Sequence, residues 1–202
     1  MGFLFFTLIG NKPYFGFATV AIAPLIQLRK ITLHFLIKRW YNKIMKSNLD
    51  MKNTSLCYIE KDGAYLMLHR VKKENDINRD KYVGIGGKFE NGESPFDCAL
   101  REIKEETGVS PLGLKYCGIV TFVSDKYGTE YMHLFTANGY DGELKTDCNE
   151  GNLVWIKKES VYSLPVWEGD KIFFRLLEKE EKFFSLKLVY QGDKLISHEL
   201  NV

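Results

Sequence analysis

The stretch GGKFENGESPFDCALREIKEETGV, residues 86–109, decides how the rest of the chain is read. Its second part predicts a helix over residues 95–107. Ser94 can accept from the first free backbone amides, Pro95 suits the first helical position, Asp97 sits where a capping-box acid belongs, and Gly108 follows as a C-terminal stop. At 100° per residue, Phe96, Ala99, Leu100 and Ile103 form an apolar stripe, and Glu102, Glu105 and Glu106 cluster beside it. Like charges three and four residues apart repel, and the C-terminal end of a helix already carries partial negative charge. Either the acids form a solvated face beside Arg101 and Lys104, or a hard divalent cation such as Mg²⁺ or Mn²⁺ compensates them. Glycines at 84, 86 and 87, just ahead of the helix, permit close backbone approaches that side chains forbid.

Outward from this segment, the chain shows short apolar runs separated by turns. Residues 55–60 and 64–69 flank Lys61-Asp62-Gly63 and read as a β-hairpin, followed by a polar loop over 71–81. Strands are expected over 114–124, 130–137 and 153–156, a helix over 170–182, and a closing hairpin from 184–190 and 195–200. Strands interleaved with two helices imply an α+β or α/β fold with a mixed sheet flanked by helices.

The 202 residues contain 28 basic and 26 acidic side chains and are 45% hydrophobic, which excludes disordered and collagen-like classes. Residues 1–50 carry seven basic groups and one acid, leaving a net charge of −4 on residues 51–202. That balance argues against binding of duplex nucleic acid, which needs clustered Lys and Arg, and leaves a small phosphorylated ligand open. Cys57, Cys98, Cys117 and Cys148 are widely spaced with no C-x-x-C pair, as expected for reduced thiols in a cytoplasmic protein.

The first fifty residues are apolar and basic, but the longest uncharged run, 13–28, is short of the roughly 20 residues that span a bilayer. They read as a membrane-surface segment, as a leader, or as an upstream extension with Met51 as the real start. Residues 51–202 have the size of one domain.

In residues 87–109, Gly87 is followed after five residues by Glu93 and after seven more by Arg101-Glu102-Ile103, then Glu105-Glu106 and Gly108-Val109. This resembles the Nudix box at every specified position. At about 6% usage per residue type, a chance match is on the order of one in ten million for a chain of this length. The resemblance implies an α/β/α sandwich and a hydrolase of nucleoside diphosphates linked to another moiety. It also implies Glu102, Glu105, Glu106 and Gly87 as ligands of Mg²⁺, with Mn²⁺ as a substitute. Arg101 would pair with Glu93 to brace the turn, Gly87 and Lys88 would face the phosphates, and Glu150 would be a distal catalytic acid.

Most of residues 51–202, especially residues 82–109 and the tail Leu164-Pro165-Val166-Trp167-Glu168-Gly169-Asp170, is similar, more narrowly, to MutT-like enzymes that hydrolyse oxidised purine nucleoside triphosphates. That likeness implies that Trp167 stacks on the base and Asp170 reads its edge. Two positions depart from the mammalian type: Val83 replaces a base-reading Asn, and Gly169 replaces a second Asp. The expected partner is a small nucleotide, and the expected assembly a monomer or small homo-oligomer. Other Nudix substrates, such as a nucleotide sugar or dinucleotide, and a non-catalytic nucleotide-sensing module, are the alternatives.

Overall fold

The β-hairpin that follows Met51 sets the sheet. In a computed structural model, which describes residues 51–146, 148–179 and 182–202, strands β1 (Lys52–Lys61) and β2 (Ala64–His69) meet at Asp62-Gly63, both with positive φ (51° and 72°). Such a two-residue turn matches the twist of paired strands. Further strands are β3 (Tyr82–Val83), β4 (Ser110–Leu112), β5 (Lys115–Ser124), β6 (Gly128–Ala137), β7 (Gly139–Asp141), β8 (Asn152–Lys157), β9 (Phe184–Gln191) and β10 (Lys194–Asn201). Helix α1 spans Pro95–Thr107, a 3₁₀ segment Lys158–Ser163, and α2 Asp170–Glu178. The readings placed on residues 1–50 lie outside the described residues.

The main sheet has eight strands, ordered β10-β9-β5-β6-β1-β2-β3 with β8 also paired to β2. β1 with β6 and β5 with β9 run parallel and the other pairs antiparallel, so the sheet is mixed as expected. β4 and β7 form a separate two-stranded sheet. Alternation sends Cys57, Ile59, Leu66 and Leu68 to one face, where they pack with Ala99 and Ile103 of α1. It sends Tyr58, Tyr65 and Met67 to the other, against Phe173 and Phe174 of α2. Each large apolar side chain buried this way contributes about 1.5–3 kcal/mol. Two helices on opposite faces of a mixed sheet make the α/β/α sandwich.

Helix α1 has the bounds and caps expected. Ser94 Oγ accepts from Asp97 N at 3.2 Å, Asp97 Oδ2 accepts from Ser94 N at 2.9 Å, and Gly108 closes the helix in the left-handed region at φ 80°. The apolar stripe is corrected: Phe96 and Leu100 are 44% and 45% exposed, while Cys98, Ala99, Ile103, Glu106 and Thr107 are buried. The buried face is thus rotated toward the acids. Helix α2 ends at Glu178, short of the expected Lys182. The short strands β3, β4 and β7 and the 3₁₀ segment were not expected, being two to six residues long.

The glycine-rich strip is laced into the sheet. Tyr82 and Val83 pair with His69 and Leu68 of β2, and the chain then crosses to β1, where Ile85 exchanges backbone hydrogen bonds with Cys57 and Gly87 O accepts from Ser55 N at 2.9 Å. A Cβ on Gly86 would lie 2.0 Å from Ser55 O, and one on Gly87 would lie 2.4 Å from Glu102 Oε1. Both are closer than real Cβ contacts allow; at Gly86 the obstacle is the β1 backbone, so that position must be glycine, whereas at Gly87 a side chain would displace the Glu102 carboxylate.

Candidate active site

The strip and α1 together organise a group of acids. Arg101 is its clamp: Nε and Nη2 bond the two oxygens of Glu93 at 2.6 and 3.0 Å, Nη1 reaches Glu102 at 2.8 Å and Glu105 at 3.2 Å, and Nη2 also donates to Lys88 O at 2.9 Å. A bidentate guanidinium–carboxylate pair fixes direction as well as distance. It ties the turn at 88–93 to the helix. The Arg101 hydrogen bonds, followed by one from the Glu90 amide, hold Glu93 down to about 2, well below the ordinary carboxylate range.

The three helix acids are not equivalent. Glu105 is exposed apart from its contact with Arg101, whereas Glu102 is half-buried and pressed against Gly87. Glu106 is buried, and its Oε2 accepts from Gly86 N at 3.1 Å. Burial, then the carboxylates of Glu150 and Glu102, push Glu106 up to about 8 against the opposing pull of the Gly86 amide. Burial also raises Glu102, and Glu105 and Glu150 add to it. Glu102 has Arg101 as a partner, whereas buried Glu106 has no ion pair among the described residues, so it favours a proton or a bound cation.

Glu150, 44 residues beyond Glu106, enters the same corner from the turn before β8, bonded to Arg70 Nη1 and Lys73 Nζ. Arg70 stands just after β2, and its Nε donates to the covered side chain of half-buried Asp76 at 2.6 Å. Nothing in the linear sequence marks Arg70, Lys73 or Asp76; their basic and acidic types read as an ordinary polar loop. That loop is pinched at its base by Arg70 N to Lys81 O (3.0 Å) and Asp80 N to Arg70 O (2.8 Å).

A cavity of about 880 Å³ connects this corner to Trp167 and Asp170. Its lining includes Gly86, Gly87, Lys88, Arg101, Glu102, Glu106 and Glu150 at one end and Phe122, Trp167, Asp170, Leu188 and Tyr190 at the other. Trp167 is largely buried, with Nε1 donating to Asn78 Oδ1 at 2.8 Å and its ring edge-on to Phe122 and Tyr190. The Lys81 ammonium lies 4.6 Å from the ring centroid, so a cation occupies one indole face. Asp170 is buried at the start of α2, and burial lifts it to about 7 although the Trp167 backbone and Lys81 pull it down. Val83 lines the cavity. At Gly169 a Cβ would meet Leu188 Cδ1 at 2.4 Å and Tyr190 Oη at 2.8 Å. The space of the missing second Asp is filled from β9.

The Gly87 carbonyl, expected to face a metal, accepts from Ser55 N and from the Cys98 thiol at 3.6 Å. Backbone alternation turns the polar groups of Gly86 the other way, as its N–H to Glu106 shows. Among the described residues, no three His, Cys, Asp or Glu side chains stand close enough to hold a metal ion as they are placed. The donor set nevertheless fits a hard divalent cation: carboxylate oxygens only, one of them with its proton affinity raised by burial first and by neighbouring negative charge second. All four cysteines are buried free thiols, and no helix among the described residues is long and apolar enough to cross a membrane.

A braced acid-bearing helix against a glycine strip, on a mixed sheet between two helices, is the architecture of a pyrophosphate-cleaving hydrolase of the Nudix type. The NUDIX domain model matches residues 51–177, and the chain belongs to that family. It is 28% identical over 156 residues to an uncharacterised Nudix hydrolase of Bacillus subtilis, covering 75% of this chain and 95% of that protein. It is also 28% identical over 132 residues to an oxidised purine nucleoside triphosphate hydrolase of Danio rerio, covering 64% and 83%. The crystal structure of a mutator MutT protein from Bacillus halodurans superposes with a TM-score of 0.67 at 28% identity, covering 75% of this chain and 98% of that one. Substrates differ among the relatives: an ADP-ribose pyrophosphatase of Methanocaldococcus jannaschii is 31% identical over 118 residues, covering 54% and 68%.

Proposed function

We propose that the protein hydrolyses purine nucleoside triphosphates, base-oxidised ones included, to the nucleoside monophosphate and pyrophosphate. The observation that carries this reading is the single cavity joining the Glu102, Glu106 and Glu150 corner to Trp167 and Asp170. One end supplies chemistry on phosphates and the other an aromatic and a buried acid for a purine. Its volume of about 880 Å³ suits a nucleotide, since small-molecule sites run to roughly 300–1,000 Å³. The resemblance to the oxidised purine nucleoside triphosphate hydrolase of Danio rerio supports the same choice.

In this reading Glu102, Glu105 and Glu106 hold Mg²⁺, with the Gly86–Gly87 backbone beside them. When bound, the ion supplies charge neutralisation of the phosphate oxygens and a more acidic water. The protein's own contribution is positional. Arg101 and Glu93 keep the strip and the helix in register, and Lys88 is exposed at the mouth to meet phosphate charge. Glu150, once released from Arg70 and Lys73, offers a carboxylate across from Glu106 that can take a proton from water. Trp167 and Asp170 receive the base. Residues 51–202 form the catalytic domain, and residues 1–50 are an extension to it.

The test is a panel of nucleoside triphosphates, nucleotide sugars and dinucleotides with Mg²⁺, with orthophosphate and pyrophosphate assayed separately. Monophosphate with pyrophosphate is the expected product pair from a purine triphosphate. Orthophosphate with the diphosphate, or turnover confined to a nucleotide sugar, would overturn the reading.

A further inference from the structure

The middle of the cavity holds a polar pair that the proposed chemistry does not use. On the α2 face of the sheet, Thr54 and Leu56 of β1 lie beside Glu130 and Met132 of β6, with Lys52 directly opposite Glu130 in the parallel register. Thr54 Oγ1 donates to Glu130 Oε1 at 2.8 Å. The Lys52 ammonium turns instead to Tyr127 O at 3.4 Å, and no ion pair reaches Glu130 among the described residues. Leu56, Phe122, Met132 and Trp167 make the surrounding wall largely apolar. A half-buried carboxylate held by one hydroxyl is thus presented to the cavity with its second oxygen.

Position defines what that oxygen can meet. On one side Thr54 bridges to Lys88, at the end of the glycine strip that leads to the acid corner. On the other, Glu130 is the cross-strand partner of Phe122, whose ring lies 5.8 Å from that of Trp167. The pair therefore sits between the phosphate end and the base end, where a nucleotide carries its sugar. Chemistry defines what the sugar must offer. An ionised carboxylate only accepts hydrogen bonds, and the Thr54 proton is already committed to it, so the pair presents acceptors and no donor. The hydroxyls of ribose are donors, and an acidic side chain is a common partner for them in nucleotide sites.

We propose that Glu130, oriented by Thr54, is a specificity-determining residue that accepts from the ribose 2′ hydroxyl, not the 3′ hydroxyl that both sugars carry, and so selects ribonucleotides over deoxyribonucleotides. This rests on the placement of a nucleotide along the cavity given above. A deoxyribonucleotide covers the Glu130 carboxylate without supplying the 2′ donor, and a site built to bond a hydroxyl discriminates against the analogue that lacks it.

Calorimetric titration of the full chain with GMP and dGMP tests this without any turnover, beside kcat/KM for GTP and dGTP. The expected result is binding of GMP about tenfold or more tighter than dGMP. Glu130→Met keeps the length and loses the acceptor, and it should bring the ratio toward one by weakening GMP alone. Thr54→Val should move the ratio the same way by a smaller amount. Glu130→Gln, which retains one acceptor oxygen, should give a partial loss and serves if the methionine variant does not fold. A ratio near one in the wild type, an undiminished ratio in the folded Glu130 variants, or binding of neither nucleotide overturns the assignment. If GMP binds over dGMP but no triphosphate yields pyrophosphate, the proposed reaction falls and the ribose assignment stands.

Discussion

Asp170→Asn should make the protein more stable at pH 8 than the wild type while leaving it little changed near pH 4. Asp170 is buried beside Trp167, and burial raises its carboxyl from 3.8 to about 7. Between those values the native state holds a proton that the unfolded chain has released, so the stability present below the unfolded value is lost as pH rises through the native one. Three pH units at 1.36 kcal/mol each give about 4 kcal/mol in all, of which about 2.5 kcal/mol falls between pH 5 and 8. An amide keeps the shape and can still accept from the Trp167 backbone, but it carries no charge to desolvate. Urea unfolding at pH 5 and 8 in a chelator, for wild type and variant, isolates the contribution, because Glu106 titrates alike in both proteins. Parallel pH dependences for the two would refute the reasoning and mean that Asp170 has a route to solvent.

Glu106→Gln should lower kcat by two orders of magnitude or more at saturating Mg²⁺ with circular dichroism unchanged, and Glu105→Gln, at an exposed position, by less. Gly87→Ala puts a Cβ 2.4 Å from Glu102 Oε1, so kcat should fall at least tenfold while thermal unfolding still shows a cooperative transition. Trp167→Ala should raise KM for the preferred purine about tenfold, read from initial rates, given the roughly 1–3 kcal/mol that aromatic stacking contributes per base. A chain beginning at Met51 should fold with an unchanged midpoint and full kcat/KM, since every residue assigned to the site lies beyond that point.

Much of the fold is legible because its signals are local. Ser94, Pro95, Asp97 and Gly108 mark the ends of α1 by side-chain and backbone chemistry that acts within four residues, and Asp62-Gly63 marks the first hairpin in the same way. The box residues are legible because their spacing is dense. What the sequence conceals depends on partners far along the chain. Glu106 is an acid on a buried face, so an apolar count assigns that face to Phe96 and Leu100 instead. Arg70 and Glu150 are 80 residues apart, and Thr54 and Glu130 are 76 apart; each pair exists only because the sheet brings its strands together. β3 is two residues long and owes its form to pairing with β2, which no periodicity can reveal.

The glycine strip has a mechanical consequence. A surface loop can swing over a ligand, but residues 82–87 are stitched to β2 at one end and to β1 at the other, with α1 packed behind. Opening that segment means tearing the sheet. The floor of the cavity is accordingly a fixed bench, and the 71–81 loop beside it rests on Trp167 through Asn78 and Lys81 and on Glu150 through Lys73. A ligand that draws Lys73 toward its phosphates and displaces Lys81 from the indole would loosen both of those rests at once, so that filling the two ends of the cavity is felt by one and the same stretch of chain.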